Sequence, residues 1–288
     1  MKVLTIPDLH GRNNWKFWSD KLEYVDKAVF LGNYVDGPQN EVPDNVVIQN
    51  LMEIIELKNQ FPEKIVLLFG NHDLQYYFKD TEYQSRVKNL LYRESYAEQL
   101  KNIFTQNESI FTVSFQDKNF LWTHGGFGNM ATRFFFGAIL KTVDVDKYSY
   151  VINEMFARKH SDIFSVSGMK KMPKTAERGF IFGADYQEVS TDLVLKLHQI
   201  VGHNPVKKIS TKFNTEIKSN LQNRQISEEE IMSAIGRMSA GQMIRDEETI
   251  QEFIDYDTSA TFTNCLTYKN SFLIVDTDNI QLNKIIDL

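Results

Sequence analysis

The chain has a single cysteine, Cys265, among its 288 residues. One thiol cannot form an internal disulfide, and it cannot supply the thiolate cluster of a structural zinc site. The sequence also lacks an excess of positive charge, since its formal net charge is -6 at pH 7. We therefore expect no extended nucleic acid as a partner, whereas a small nucleotide remains open as a substrate.

Long apolar runs are also missing from the sequence. No window approaches the ~18 uninterrupted apolar residues that a membrane-spanning helix requires. Segment 1–11 is too short and too polar for a signal peptide. Internal repeats, low-complexity segments and Pro/Gly-rich linkers are absent as well. We expect a cytoplasmic protein with no membrane partner, built as a single domain over residues 1–288.

What the sequence does contain is an alternation of strand and helix patterns. Three short apolar runs predict buried strands, over residues 2–7, 27–31 and 64–69. The two segments between them, 13–25 and 42–61, carry apolar residues at helical spacing. This order predicts an α/β fold in which parallel strands are joined by right-handed crossovers.

The remainder of the chain is more varied in pattern. Helices are predicted over 82–106 and 130–159, and a β-hairpin is predicted over 109–123. The polar segment 210–254 contains a capping box at 227–230 and is interpreted as a helical insert or lid. Strand patterns return after residue 260, which indicates that the chain rejoins a sheet.

Polar side chains follow nearly every predicted strand. The set consists of Asp8, His10, Asn33, Asp36, Asn71, His72, His124 and His203. In open α/β sheets the strand ends converge at the ligand site, so we expect these side chains to meet. A lone histidine after a strand is more often structural, but four histidines beside two carboxylates favour a metal site. Nitrogen and oxygen ligands without thiolates suit manganese, iron, zinc, nickel or cobalt.

Five short motifs in a fixed order give these residues a specific resemblance. They are Asp-x-His-Gly, Gly-Asn-x-x-Asp, Gly-Asn-His-Asp, His-Gly-Gly and Gly-His-Asn-Pro. The chain resembles the calcineurin-like metallophosphoesterases, and within them the phosphoprotein phosphatase branch of bacterial or phage type. The resemblance covers roughly residues 1–206 and the strand near 275–277. It implies a four-layer α/β/β/α sandwich, in which helices flank two mixed sheets.

The resemblance implies a site for two divalent metal ions, with manganese as the expected metal. Six residues would hold them: Asp8 and His10 the first ion, Asn71, His124 and His203 the second, and Asn33 the bridge between both. Two such ions would clamp the phosphate group of the substrate and activate the attacking water.

The resemblance also implies roles toward the substrate. His72 would protonate the leaving oxygen as general acid, and Asp36 would orient its imidazole. Arg178 would bind phosphate oxygens through its planar fork, assisted by Asn71 and His72. It lies in the segment 177–184, which resembles the phosphatase pattern Arg-Gly-x-x-(Tyr/Phe)-x-Phe-Gly.

The sequence departs from the family pattern at two positions. Asn33 replaces the bridging aspartate, which removes a negative charge from between two dications and should slow catalysis. Because the other members of the set are present, the sequence favours a recent or engineered Asp-to-Asn substitution over a natural loss of activity. The second departure is Gly37, which replaces an arginine that contacts phosphate. Either Arg12 or Arg133, which follows the His-Gly-Gly turn, could take its place.

Three functions remain open at this point. The first is a phosphomonoesterase acting on a phosphorylated protein or another small phosphoester. The second is a nucleotide phosphodiesterase or pyrophosphatase similar to diadenosine tetraphosphatase. Its base would stack on aromatic residues beside the motifs, which are Tyr34, Tyr76, Tyr77, Phe78 and Phe127. The third is a non-catalytic phosphate-binding module, which Asn33 alone suggests.

Overall fold

The strands of the protein assemble into two mixed sheets. A computed structural model describes residues 1–37, 42–78, 91–126, 145–158, 197–203, 261–264 and 271–287. Its strands are β1 (Lys2–Ile6), β2 (Lys27–Phe30), β3 (Ile65–Leu68), β4 (Phe111–Thr112), β5 (Ser114–Asp117), β6 (Phe120–Thr123), β7 (His198–Val201), β8 (Thr261–Asn264), β9 (Ser271–Asp276) and β10 (Lys284–Asp287). Six of them form a sheet in the order β10-β9-β1-β2-β3-β4, and four form a sheet in the order β5-β6-β7-β8.

Within the same ranges the chain forms α-helices and 3₁₀ segments. The α-helices are α1 (Asp44–Gln60), α2 (Asn71–Tyr77), α3 (Ala97–Gln106) and α4 (Tyr148–Ala157). The 3₁₀ segments are Asn14–Tyr24, Glu94–Tyr96, Glu108–Ile110, Val145–Lys147 and Ile280–Leu282. The helix predicted over 13–25 is therefore present as a 3₁₀ helix, and α1 closely matches the helix predicted over 42–61.

The helix predicted over 82–106 is wrong in its middle. Residues 91–93 are not helical, and α3 begins only at Ala97 after a short 3₁₀ turn. Arg93 is extended, and its backbone N–H donates to the Tyr76 hydroxyl at 2.9 Å. A tertiary hydrogen bond thus takes the N–H group that a continuous helix would use. Apolar periodicity carries no information about such a bond.

Strand direction places the polar clusters at one end of the molecule. β1, β2, β3 and β4 are parallel neighbours, while β9 and β10 extend the sheet in antiparallel fashion. In the second sheet β6, β7 and β8 are parallel, and β5 pairs with β6 as the predicted hairpin. The residues that follow β1, β2 and β3 therefore leave the first sheet at the same edge.

An apolar layer holds the two sheets face to face. It consists of Val3, Val29, Leu31, Leu68, Phe120, Trp122, Ile200, Leu273 and Val275, all buried. The Trp122 indole donates to the Thr5 hydroxyl at 2.9 Å, so its buried N–H is paired across the sheets. A second apolar cluster joins α1 and the 3₁₀ helix to β1, β2 and β3. Two mixed sheets with packed helices confirm the predicted α/β fold class.

Two predictions about organisation stay open. The insert predicted at 210–254 lies outside the described residues. The single-domain interpretation therefore stays a prediction as well. None of the helices in the described ranges combines the length and the apolar character needed to cross a membrane.

Gly32 is the residue that lets β2 and β3 approach each other at the site. Its φ is +97°, and a Cβ added there would lie 2.3 Å from the Gly70 nitrogen. We expect Gly32→Ala to lower the free energy of unfolding by roughly 2–5 kcal/mol, through left-handed strain and overpacking together. Urea unfolding measures this loss. The exposed change Ser19→Ala is the control and should stay within about 0.5 kcal/mol of the parent chain. Equal stability of Gly32→Ala and the control would contradict the prediction.

Candidate active site

The backbone bends sharply directly after the strands that reach the site. Among the described residues, five non-glycine residues have left-handed φ angles: His10 (49°), Asn33 (53°), Asp36 (61°), Lys118 (52°) and His203 (63°). Four of the five belong to the set that the sequence singled out. Left-handed conformations are unfavourable for side chains with a Cβ, and they concentrate at functional sites. The strained bends therefore indicate that these side chains are held where chemistry needs them.

The bends bring the predicted ligand residues together in two groups. The first group is Asp8 and His10, whose Oδ2 and Nε2 atoms lie 3.9 Å apart. The second group is Asn71, His124 and His203, in which the Asn71 Oδ1 lies 2.8 Å from His124 Nε2 and 3.1 Å from His203 Nδ1. The ring nitrogens of the two histidines are 3.2 Å apart.

The two groups touch through the backbone that follows β7. The N–H of His203 donates to the carboxylate of Asp8, at 3.2 Å from Oδ1. This contact requires a glycine at position 202, because a Cβ there would lie 2.0 Å from the same oxygen. The motif Gly-His thus brings the ends of the two sheets together.

The carboxamide of Asn33 lies between the two groups. Its Oδ1 accepts the backbone N–H of His72 at 2.9 Å, and this bond fixes which end of the amide faces which neighbour. The Nδ2 group then donates to Asp8 Oδ2 at 2.9 Å and to Asn71 Oδ1 at 3.2 Å. Asn33 therefore lies between Asp8 and Asn71, and it presents hydrogens to them rather than lone pairs.

The second group fits a divalent cation. His124 Nδ1 lies 2.8 Å from the carbonyl oxygen of Leu31, which can only accept, so Nδ1 carries the proton. Burial lowers the pKa of His124 to about 3, and the ring is therefore neutral with a lone pair on Nε2. That lone pair faces the Asn71 oxygen, so two hydrogen-bond acceptors lie 2.8 Å apart. This arrangement is unfavourable unless a cation or a shared proton lies between the two atoms. Imidazole nitrogens and an amide oxygen suit the metals named above.

The first group is less complete. Burial lowers the pKa of His10 to about 4, and its Nδ1 is buried without a hydrogen-bond partner. Such an unpaired polar atom is unfavourable in a protein without a ligand. However, Asp8 and His10 are only two donors, and the bridging position offers them an NH₂ group. The described part of the chain contains no group of three His, Cys, Asp or Glu side chains that could hold a metal ion.

His72 lies beside the first group and is held by Asp36. The His72 and His10 rings meet edge to face, with 5.1 Å between their centroids. His72 Nδ1 lies 3.0 Å from Oδ2 of Asp36, whose side chain is completely buried. Since a carboxylate accepts, Nδ1 is the donor in this bond. The structure thus brings together the two residues predicted to act in proton transfer.

Asp73 is a site residue that the sequence reasoning missed. Its buried carboxylate accepts the backbone N–H groups of Asn33 at 2.7 Å, Tyr34 at 2.9 Å and Gly70 at 2.9 Å. Burial raises the pKa of Asp73, and the three N–H groups oppose this rise because they stabilise the ionised form. The sequence does indicate its importance, because Asp73 is the last residue of the motif Gly-Asn-His-Asp.

The predicted substrate contacts are described only in part. Arg12 is exposed, and its charge helps to lower the pKa of His10, so it lies near the first group. Arg133 and Arg178 lie outside the described residues. The aromatic side chains proposed to stack on a base are a different case. Tyr34, Tyr76 and Phe78 are at most 8% exposed and belong to the apolar core, so that interpretation is wrong for them. Tyr77 is partly exposed, and Phe127 lies outside the described residues.

Comparison with known proteins assigns the family. The sequence matches the calcineurin-like phosphoesterase family over residues 1–222. The chain belongs to this family. It is therefore a phosphoesterase, and the family generally binds two divalent metal ions. A search of curated proteins found no match.

Solved structures give weaker similarities. A cold-active protein tyrosine phosphatase is 16% identical at a TM-score of 0.45, and the match covers 73% of this chain and 66% of that one. The enzyme of the same description from a Shewanella species is 13% identical at a TM-score of 0.45, with 100% and 80% covered. A protein serine/threonine phosphatase from Saccharomyces cerevisiae is 12% identical at a TM-score of 0.44, with 100% and 79% covered. Similarities of this size assign no substrate.

The second group should bind manganese measurably without any substrate. Titrating Mn²⁺ into metal-free protein should raise the melting temperature. At a Mn²⁺ concentration of 100 times the Kd, the added free energy of unfolding is about 2.7 kcal/mol. His124→Ala should weaken this binding by more than ~10-fold, because removing even an outer partner of a ligand has that effect.

His198→Ala is the matched control for this titration. His198 is also a buried histidine, but it lies within β7 and outside both groups. Its replacement should lower stability and leave the Mn²⁺ affinity unchanged. If His124→Ala binds Mn²⁺ as tightly as the parent chain, the second group is not a metal site.

Proposed function

We propose that the protein is a metal-dependent phosphomonoesterase that resembles the Ser/Thr protein phosphatases in its chemistry. Its substrate is a phosphorylated protein or a small phosphoester, and it uses two divalent ions, with manganese the expected metal. We place it in the cytoplasm, with neither extended nucleic acid nor membrane as a partner. The observation that carries the proposal is the position of His72. It is hydrogen-bonded to the buried Asp36 carboxylate and lies beside the two groups of ligand residues.

The position of His72 suits an ester with a poor leaving group. An alkoxide such as that of serine or threonine needs a proton as the phosphorus–oxygen bond breaks. With Nδ1 bonded to Asp36, His72 can hold that proton on Nε2 and release it to the departing oxygen. A good leaving group such as nitrophenolate has much less need of it.

The metal ions would be held by the two groups of residues described above. When bound, they would supply positive charge to the phosphate and activate the attacking water. Asp8, His10, Asn71, His124 and His203 would hold them, and Asn33 would lie between. The substrate would also be bound by side chains of the protein. Asn71 and His72 contact the phosphate, and Arg12 and Arg178 supply further positive charge for it.

The alternative of a nucleotide substrate has less support. Of the five aromatic residues that would stack on a base, Tyr34, Tyr76 and Phe78 are buried in the core, and the partly exposed Tyr77 donates its hydroxyl to Glu108. Stacking would need such a ring exposed beside the site. We therefore favour a phosphomonoester over a dinucleoside polyphosphate.

Asn33 should limit the rate of this enzyme. Its NH₂ group points at Asp8 and Asn71, where a carboxylate would present lone pairs to both ions. An aspartate at position 33 could keep the bond to the His72 N–H with one oxygen and turn the other oxygen toward the site. The nearly equal shape of the two side chains means that the fold itself should not change.

Asn33→Asp should raise turnover of p-nitrophenyl phosphate in Mn²⁺ by at least ~10-fold, which is about 1.4 kcal/mol of barrier. Steady-state kinetics measures the change. Asn71→Asp is the charge-matched control, since it adds the same charge to the cluster without placing it between the two groups. It should show no comparable gain. No gain in Asn33→Asp would show that the missing charge is not limiting.

The Asn33→Asp enzyme also serves to test the substrate class. We expect phosphopeptides to exceed dinucleoside polyphosphates and cyclic nucleotides by about 100-fold in kcat/KM, or ~2.7 kcal/mol of transition-state binding. The reverse order would favour the nucleotide alternative. Binding of phosphate without any turnover would favour the non-catalytic module.

His72→Asn tests the general acid. It should slow hydrolysis of alkyl phosphates by roughly 10²- to 10⁴-fold, the usual contribution of a positioned acid. Hydrolysis of p-nitrophenyl phosphate should fall much less, because its leaving group departs as the anion. Equal losses for both substrates would remove His72 from this role.

A further inference from the structure

Asp36 is surrounded by more hydrogen-bond donors than a supporting carboxylate needs. Four side chains donate to its two oxygens: His72, Gln75, Tyr76 and Tyr96. His72 and Gln75 share Oδ2, while Tyr76 and Tyr96 share Oδ1. An ionised carboxylate has about four acceptor positions, so this arrangement fills them all. Solvent water does not reach the Asp36 carboxylate, since this residue is 0% exposed.

The direction of the tyrosine bonds follows from a neighbour. The Tyr76 hydroxyl accepts the backbone N–H of Arg93 at 2.9 Å, so its own proton goes to Asp36. The Tyr96 hydroxyl donates to the same oxygen at 2.9 Å. Burial and the negative charge of Asp36 raise the pKa of both hydroxyls well above the usual value, which keeps them as donors.

The donors come from two separate parts of the chain. His72, Gln75 and Tyr76 lie on α2, and Tyr96 closes the 3₁₀ turn before α3. The rings of Tyr76 and Tyr96 also pack together, with 5.7 Å between their centroids. The bond between Arg93 and Tyr76 ties this turn to α2. The carboxylate is therefore held from both sides by helices that pack on each other.

The two oxygens of Asp36 thus have different roles. Oδ2 faces the imidazole of His72, and Oδ1 is fixed by two phenol groups. A carboxylate bonded on one side alone can rotate about its Cβ–Cγ bond. With both oxygens held, rotation would break hydrogen bonds at each of them, so Oδ2 stays directed at Nδ1.

We propose that Tyr76 and Tyr96 are positioning residues for catalysis, which fix the Asp36 carboxylate so that it orients His72 toward the leaving oxygen. The inference rests on the proposed role of His72 as general acid. It assigns a function to two tyrosines that lie outside the family motifs, one of them in a segment that the sequence pattern had predicted to be plain helix.

Removal of the hydroxyl groups tests the proposal through the leaving group. Tyr96→Phe and Tyr76→Phe should each slow hydrolysis of an alkyl phosphate by about 10-fold, below the ~100-fold that a 1 Å misplacement can cause. Hydrolysis of p-nitrophenyl phosphate should change less than ~2-fold, because this substrate needs little help from the acid. The series is run in the parent chain and in the Asn33→Asp enzyme.

Tyr34→Phe is the matched control. Tyr34 is a fully buried tyrosine of the same apolar cluster, and its hydroxyl donates to the Leu68 carbonyl at 2.9 Å, away from Asp36. Its loss removes one buried hydrogen bond in the same way, so stability should fall to a similar degree. The ratio of alkyl to aryl rates should remain that of the parent.

A second measurement does not depend on activity. The Nδ1 proton of His72, assigned by its absence in His72→Asn, reports the bond to Asp36 in the ¹H NMR spectrum. In Tyr96→Phe and Tyr76→Phe its signal should move upfield or broaden through faster exchange with water. In Tyr34→Phe the signal should be unchanged.

The outcomes separate the inference from the function on which it rests. If His72→Asn slows both substrates equally, the general-acid role fails whatever the tyrosines do. If His72→Asn shows the leaving-group effect but both tyrosine variants lose the two rates equally, or lose neither, the positioning role is overturned. An unchanged Nδ1 signal in both variants overturns it as well, even if the chain has no measurable turnover.

Discussion

The site depends on one buried side chain, that of Asp73, and on the hydrogen bonds that it accepts. It accepts N–H groups from Asn33, Tyr34 and Gly70, and so ties the end of β2 to the end of β3. Asn33 has a left-handed φ of 53° after β2, a conformation that is unfavourable for a side chain with a Cβ unless such bonds hold it. The bonds place the Asn33 amide against the His72 N–H, from which the orientation of the rest of the site follows.

Hydrogen-bond direction, rather than distance alone, decides what the site offers a metal ion. The His72 N–H fixes the Asn33 oxygen, so the Asn33 NH₂ group must face Asp8 and Asn71. On the other side, the Leu31 carbonyl fixes the proton of His124 and turns its lone pair inward. The cluster therefore has one half with converging lone pairs and a bridge that carries hydrogens.

The part of the site around Asp36 is constructed differently. It is a closed set of hydrogen bonds around the fully buried Asp36, held by α2 and the turn before α3. Low local dielectric strengthens such bonds and makes any missing partner unfavourable. A buried carboxylate with every acceptor position filled is rigid, and this rigidity is what an imidazole needs from its orienting partner. The two halves of the site meet at His72. Its backbone N–H donates to Asn33, and its ring Nδ1 donates to Asp36.

The sequence by itself determined the α/β class, the order of the first strands and helices, and the residues that meet at the site. It could do so because strand period, helix period and polar strand ends are local properties of the chain. The tertiary structure alone decided which way the Asn33 amide points, why residues 91–93 interrupt the predicted helix, and which tyrosines contact Asp36. These features depend on hydrogen bonds between residues up to 60 positions apart, as between Asp36 and Tyr96. A donor and its acceptor so distant in sequence leave no periodic pattern, and only the folded chain brings them within reach.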